Sequence, residues 1–217
     1  MRIAALIVAA GRGTRAGGDT PKQWQALHGK RVIDWTLEAF RSHPSITDIA
    51  VVVHPDDMDL LTDPDLIVTR GGATRDQSVK CGLDALAPQC PDLVLIHDAA
   101  RATVSKPVID DVIDALATHD GAAPAIAVTD ALWVGRDGRV TGTQDRTNLF
   151  RAQTPQGFKF DKIRNAHREQ TAPAADDVEI ARRANMTVAI TQGCETNIKI
   201  TLPQDFERAE AILRTRS

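Results

Sequence analysis

The 217-residue chain has no apolar run of the roughly 18 residues that a membrane-spanning helix needs. It has no cysteine framework either. Cys81, Cys90 and Cys194 are odd in number and fall in no metal-ligand spacing. They read as free thiols of a reducing cytoplasm, not as a disulfide set or a zinc site. There is no excess of positive charge. With 26 Lys+Arg against 29 Asp+Glu the formal net charge is −3, which argues against nucleic acid or a membrane surface as partner. No Gly-Lys-Ser/Thr follows the N-terminal glycines, which excludes a P-loop. The opening "MRIAALIVAAG" is too short and wrongly flanked for a secretory signal, because Gly11-Arg12-Gly13 stands where the cleavage site would lie. It reads as a buried first strand.

What is present alternates. Residues 3–10, 48–54, 66–69, 92–98 and 122–128 are short, nearly continuous apolar runs, as in strands buried on both faces of a parallel sheet. Between them, residues 32–42, 74–87 and 106–119 carry apolar residues at helical spacing. Val108, Val112, Ile113 and Leu116 share one face of the third, and Ser105-Lys106-Pro107 is its start signal. This pattern predicts an α/β fold, Rossmann-like, with a mostly parallel sheet and helices on both faces. Residues 1–217 suit a single domain. After about residue 129 the pattern changes. Arg136-Asp137-Gly138 lies between two extended pieces and predicts a hairpin, a candidate arm at about 131–147. Helices near 159–170, 176–185 and 203–214 and a strand at 187–191 follow, with "NIKIT" at 197–201 also read as extended.

The stretch "VAAGRGTRAGGDTPKQW" (8–24) combines Gly11, Gly13, Gly17 and Gly18 with Arg12, Arg15 and Lys22. Gly11 to Ala16 fits the dinucleotide pattern, but two features oppose it. The loop is prolonged through Pro21 where a helix should open, and the second strand ends at His54-Pro55 without an acid for a ribose. A solvated basic turn is the bland alternative. A third possibility is a triphosphate grip: glycine-loop N–H groups form a nest for anionic oxygens, and Arg15 and Lys22 neutralise charge at an attacked phosphorus.

Further blocks follow in order: "GGATRDQSV" (71–79), "HDAAR" (97–101), "QDR" (144–146), "AQTPQGF" (152–158) and "NIKIT" (197–201). Together with the glycine stretch they resemble the nucleotidyltransferases that make nucleoside diphosphate compounds. Most of all they resemble the 2-C-methyl-D-erythritol 4-phosphate cytidylyltransferases of the non-mevalonate isoprenoid pathway. The resemblance implies a nucleotide-diphospho-sugar transferase type of fold, over one nucleotidyltransferase domain with a dimerisation arm. It implies transfer of CMP from CTP to methylerythritol phosphate with release of pyrophosphate, a divalent ion such as Mg²⁺, and a cytoplasmic homodimer.

The resemblance also implies roles. Arg15, Lys22 and Lys199 would be catalytic. Ala9, Ala10, Gly11, Gly13, Gly72, Arg75 and Ser78 would bind the nucleotide. Asp98 would meet metal and sugar, with Arg101 nearby, and Arg146 and Thr154 would hold the acceptor phosphate across the dimer. Each position has a plainer alternative. Asp98 can cap a turn, Lys199 can be a solvated strand residue, and Arg146 can pair with Asp145 at the surface. His97 reads as a packed residue rather than a base, since the attacking phosphate oxygen is already anionic. Ala131 and Ala175 stand where relatives often carry threonine, so two acceptor hydroxyls are missing. A sibling enzyme for ribitol 5-phosphate or another polyol phosphate, and a non-catalytic nucleotide-binding regulator, remain the alternatives.

Overall fold

The run IAALIVA forms β1 (Ile3–Ala9), buried on both faces, in a computed structural model that describes residues 1–13 and 20–216. A small ribbon of β2 (Ala26–Leu27) and β3 (Lys30–Arg31) leads into α1 (Val32–Arg41). Then come β4 (Ile46–Val53), β5 (Leu66–Arg70), α2 (Arg75–Leu86), β6 (Leu93–Asp98), α3 (Lys106–Ala115) and β7 (Gly121–Ala127). The chain continues as β8 (Leu132–Arg136), β9 (Arg139–Gln144), β10 (Phe150–Ala152), β11 (Gln156–Lys159), α4 (Phe160–Glu169), α5 (Asp177–Arg183), β12 (Val188–Gln192) and α6 (Gln204–Arg214).

Strands β5, β4, β1 and β6 lie side by side and parallel. Next to β6 comes β11, antiparallel both to β6 and to β7. β12 pairs parallel with β7, and β10 pairs antiparallel with it. The mostly parallel α/β sheet expected from the apolar runs is therefore present. Its side chains alternate between two cores, as a period of two requires. Ile3, Ala5 and Ile7 pack with Ile33, Phe40 and Ile109 on one face. Ala4 and Leu6 pack with Val79, Leu83, Ile163 and Ile180 on the other. The segment 150–159 supplies two short strands, β10 and β11, that the apolar pattern does not announce. Three or four residues are too few for periodicity to register. The hairpin is formed by β8 and β9, with Asp137 and Gly138 at positive φ in its turn. Positive φ at both positions is what a tight hairpin turn demands.

This order places a topological switch between β1 and β6. The chain leaves β1 toward β4 on one side, and returns through α2 to β6 on the other. Connections diverge there and leave a crevice at the C-terminal ends of the strands. Beneath it lies a layer of buried polar groups. The Asp98 N–H donates to Thr154 Oγ1 (3.2 Å), and Thr154 Oγ1 lies 3.0 Å from His97 Nδ1. His97 Nε2 is 3.3 Å from the Arg101 carbonyl, which can only accept. Nε2 therefore carries the ring proton and Nδ1 accepts from Thr154. Arg101 Nη1 donates to the Asn197 carbonyl (2.7 Å), and Asn197 Nδ2 donates to that of Thr154 (2.9 Å). A segment near the C-terminus is thus fastened under β6.

Two predictions follow from this packing. A methyl group on Gly82 of α2 would overlap Leu6 and come within 2.7 Å of Val52. Alanine gains up to about 1 kcal/mol of helix propensity over glycine, but overpacking costs about 1–3 kcal/mol. The clash wins, and Gly82→Ala should lower the denaturant midpoint; an unchanged or higher midpoint would contradict a tight helix–sheet contact. The second concerns His97, wholly buried and pushed down to about 3 by that burial. Unfolded histidine takes a proton below about 6.5. The unfolded state therefore binds the extra proton between those values. Stability present at neutral pH is lost as pH falls from about 6.5 towards 3, by up to about 1.4 kcal/mol per pH unit. Denaturant unfolding at about pH 7 and about pH 5 should show the loss, and His97→Gln should flatten that slope.

Candidate active site

The crevice is a cleft of about 340 Å³. Ala9, Ala10, Gly11, Gly13, Lys22, Gly72, Arg75, Ser78, Asp98 and Lys199, all expected in the site, line it. Arg15 lies outside the described residues. A wider groove of about 550 Å³ runs along α1 and residues 60–66, shares no lining residue with the cleft, and is bordered by residues such as Arg31, Asp34, Arg41 and Asp63. Those four are already bound to one another as Arg31–Asp34 and Arg41–Asp63 ion pairs.

One wall is the turn after β1. Buried Gln23 holds it by donating to the carbonyls of Ala9 (2.8 Å) and Gly11 (2.9 Å). Gly13 turns the chain at φ +60° beside the Lys22 side chain. Arg12 points elsewhere: it bonds Asp57 (3.0 Å) and Asp56 (2.6 Å), and Trp24 Nε1 donates to the other Asp57 oxygen (2.9 Å). Its charge fastens the loop instead of facing the cleft. The opposite wall is the turn into α2. A Cβ on Gly71 would come within 2.5 Å of the Ala10 methyl, so the two walls meet there. The Ser78 hydroxyl donates to the Thr74 carbonyl (2.9 Å) and accepts from the Gly72 N–H (3.1 Å). Ser78 thus shapes the loop from below. Thr74 caps α2, and its side chain accepts from the Gln77 N–H. The positive end of that helix dipole faces the cleft, which favours an anion.

The floor carries charge. Lys199 Nζ lies 2.7 Å from Asp98 Oδ2, and Arg75 Nε 3.4 Å from Asp98 Oδ1. Arg75 Nη2 also meets Asp177 at 2.8 Å. Burial alone would raise the Asp98 carboxyl, but Lys199 and Arg75 outweigh it and hold the group well below the usual carboxylate range. Lys22 Nζ donates to the Ile200 carbonyl at 2.6 Å, so the glycine loop and the segment bearing Lys199 are tied together. That segment is not a strand, although its alternation suggested one. It lies outside the sheet and is held by the Ile200 N–H on the Ala100 carbonyl (2.9 Å). The alternation itself survives, with Ile200 buried and Lys199 exposed. Two β-branched residues fix the face, while a ladder needs a partner strand.

Three expected acceptor residues stand apart from the cleft lining. Arg101 is buried, donating to the carbonyls of Asn197 and Ala152. Thr154 is buried in the same polar layer, with its hydroxyl engaged between Asp98 and His97. In the described chain both act as fasteners under β6, a burial that no local pattern announces. Arg146 follows β9 on the exposed arm, and Asp145 beside it accepts the Thr147 N–H instead of pairing with it. Gln23, Asp177 and Asn197 were missed as site-building residues, because a buried polar side chain looks the same in sequence as an exposed one. Among the described residues no group of three or more His, Cys, Asp or Glu could hold a metal ion. Asp98, the expected metal ligand, is the one carboxylate among the described residues that line the cleft.

Comparison with known proteins matches residues 3–215 to the family described as 2-C-methyl-D-erythritol 4-phosphate cytidylyltransferase. A protein of that name from Roseobacter denitrificans is 58% identical, over 100% of this chain and 99% of its own length. A bifunctional enzyme IspD/IspF from Ruegeria pomeroyi is 55% identical over 99% of this chain, which spans 57% of that protein. Among solved structures, the 2-C-methyl-D-erythritol 4-phosphate cytidylyltransferase of Thermus thermophilus superposes with a TM-score of 0.83 at 32% identity, covering 99% of this chain and 100% of that one.

Proposed function

The chain belongs to the 2-C-methyl-D-erythritol 4-phosphate cytidylyltransferase family, and on that premise we propose how its residues perform the reaction. The enzyme transfers CMP from CTP to 2-C-methyl-D-erythritol 4-phosphate and releases pyrophosphate, in isoprenoid precursor biosynthesis. This sets aside the polyol-phosphate sibling and the non-catalytic regulator. An oxygen of the methylerythritol phosphate attacks the α-phosphorus of CTP in line. The bond it forms replaces the bond from that phosphorus to the bridging oxygen, which leaves with pyrophosphate. The nucleophile is an anion at neutral pH, so the site needs no general base; it needs positive charge that is fixed in place.

One observation carries the residue assignment: Lys22, Arg75 and Lys199, from three distant parts of the sequence, converge on one glycine-walled cleft around Asp98. The Ala9–Gly11 turn, Gly13 and the Gly72 loop let backbone N–H groups approach the triphosphate, and Arg75 and Ser78 frame the nucleoside end. Lys22 and Lys199, together with Arg15 of the same glycine stretch as Lys22, take the charge that develops on the five-coordinate phosphorus. A single carboxylate in a phosphate site suits Mg²⁺ held mainly by triphosphate oxygens, with Asp98 as its protein ligand, where the ion would neutralise the departing pyrophosphate. Arg101 and Thr154 act on the acceptor through the geometry of the floor.

We also propose that the β8–β9 arm makes a homodimer and carries Arg146 to the acceptor phosphate of the neighbouring subunit. The arm exposes Trp133 (69%), Val134 (51%) and Val140 (55%), more apolar surface than a free hairpin leaves to water. The three cysteines are unpaired, which supports a cytoplasmic location. No described helix is long and apolar enough to cross a membrane.

Two experiments test these assignments. Lys22→Ala should lower kcat roughly 10²–10³-fold, the cost of losing one transition-state donor, in a protein that still melts cooperatively. Near-normal turnover would remove Lys22 from catalysis. Mixing Lys22→Ala with Arg146→Ala chains should restore activity to about a quarter of the wild-type sites, because half the dimers then hold one intact site. No recovery in verified mixed dimers would place Arg146 on its own subunit.

A further inference from the structure

Arg75 has two carboxylate partners, and they differ in freedom. Asp98, on the cleft floor, is 12% exposed and lies 3.4 Å from Nε. Asp177, behind the floor at the start of α5, is fully buried and lies 2.8 Å from Nη2. The backbone of Asp177 is fixed as well. Gln156 of β11 accepts the N–H groups of Asp177 (3.1 Å) and Val178 (3.2 Å) on one oxygen, and donates to Asp176 at 2.9 Å. On the far side, buried His167 of α4 sets Nε2 3.2 Å from the other Asp177 oxygen, close enough for attraction but off hydrogen-bond alignment. Burial pushes the Asp177 carboxyl up, and Arg75 and His167 overcome it, so the group stays below the ordinary carboxylate value.

A buried carboxylate is costly to keep unless something holds it in a pair, and nothing in the chemistry of the reaction touches Asp177. From this geometry we infer that Asp177 is a positioning residue, the fixed anchor that keeps Arg75 aimed into the nucleotide cleft when Asp98 turns to substrate. In the described chain Asp98 serves two cations at once, Lys199 and Arg75. An arriving triphosphate would compete for both, and a divalent ion accompanying it would be held by Asp98 itself. A guanidinium held only by Asp98 would then lose its orientation. Held also by Asp177, it keeps one half of its planar fork in place and offers the other half to the nucleotide. The row Lys199–Asp98–Arg75–Asp177–His167 alternates basic and acidic groups from the cleft to the interior, with the exposed end exchangeable and the buried end fixed.

The inference rests on the assignment of Arg75 to nucleotide binding, and the two are separable by steady-state kinetics on the full chain with CTP and methylerythritol phosphate varied independently. Arg75→Ala should raise the KM for CTP at least tenfold; no change would overturn the Arg75 assignment and this inference with it. Asp177→Asn should raise the KM for CTP about tenfold while the KM for the acceptor stays within about twofold, a split that general loosening of the fold would not give. In the Arg75→Ala background Asp177→Asn should add less than about twofold, because its effect passes through Arg75. An unchanged KM for CTP in Asp177→Asn, equal rises for both substrates, or the full effect without Arg75 would each overturn the anchor while leaving Arg75 assigned. Should Asp177→Asn fail to fold, His167→Gln is the second variant. It should raise the KM for CTP about threefold, again only where Arg75 is present, and no rise would count against the anchor.

Discussion

Two cations cannot share a small cleft without a counter-charge, and at the switch point of this sheet the counter-charge is Asp98. Lys199 and Arg75 reach it from opposite sides, one from a segment near the C-terminus and one from the start of α2. At a few ångströms and in partial burial such charges interact by several kcal/mol. Without the carboxylate, the repulsion would drive the two side chains apart and open the floor. Every other feature of the site is arranged around this point. The polar layer under β6 holds the backbone of Asp98 through Thr154. The contact of Lys22 with the Ile200 carbonyl joins the glycine loop to the same centre.

The arrangement separates holding from exchanging. Groups that hold are buried and doubly bonded: Gln23 under the glycine turn, Ser78 under the Gly72 loop, Asn197 and Arg101 under β6, and Asp177 behind Arg75. Lys199 at 43% exposure and Arg75 at 31%, the groups that exchange partners in the proposed mechanism, sit at the edge of water. A triphosphate can displace an ion pair at such an edge at small cost, since exposed pairs are weak. Displacing the inner shell would leave buried charge unpaired, which costs far more. Burial therefore decides which contacts survive substrate binding.

Much of this was legible in the chain. The unbroken apolar runs of IAALIVA, 48–54 and 92–98 report two-faced burial, because successive side chains point to opposite faces and both sets are apolar. The Asp137-Gly138 turn reports the hairpin, because only certain residues accept its backbone angles. The candidate site was legible as a set of types, glycines and cations, in six ordered blocks. Its internal division of labour was not. Arg101 and Thr154 stood among the expected acceptor contacts, yet the fold buries both as fasteners. "NIKIT" alternates like a strand, but finds a loop carbonyl where a ladder was expected. Arg12 is as basic as Arg15 in sequence, and Asp56 and Asp57 claim it.

The sequence by itself determined the α/β architecture, the glycine turn after β1, the arm, the family and the reaction, because periodicity, turn chemistry and ordered motifs are local properties of the chain. Only the tertiary structure decided which polar groups face the cleft and which lie beneath it. It also decided that Asp177, 102 positions from Arg75, is that residue's buried partner. The physical reason is that burial and pairing depend on what the fold brings alongside, and a carboxylate or guanidinium carries no local mark of its partner.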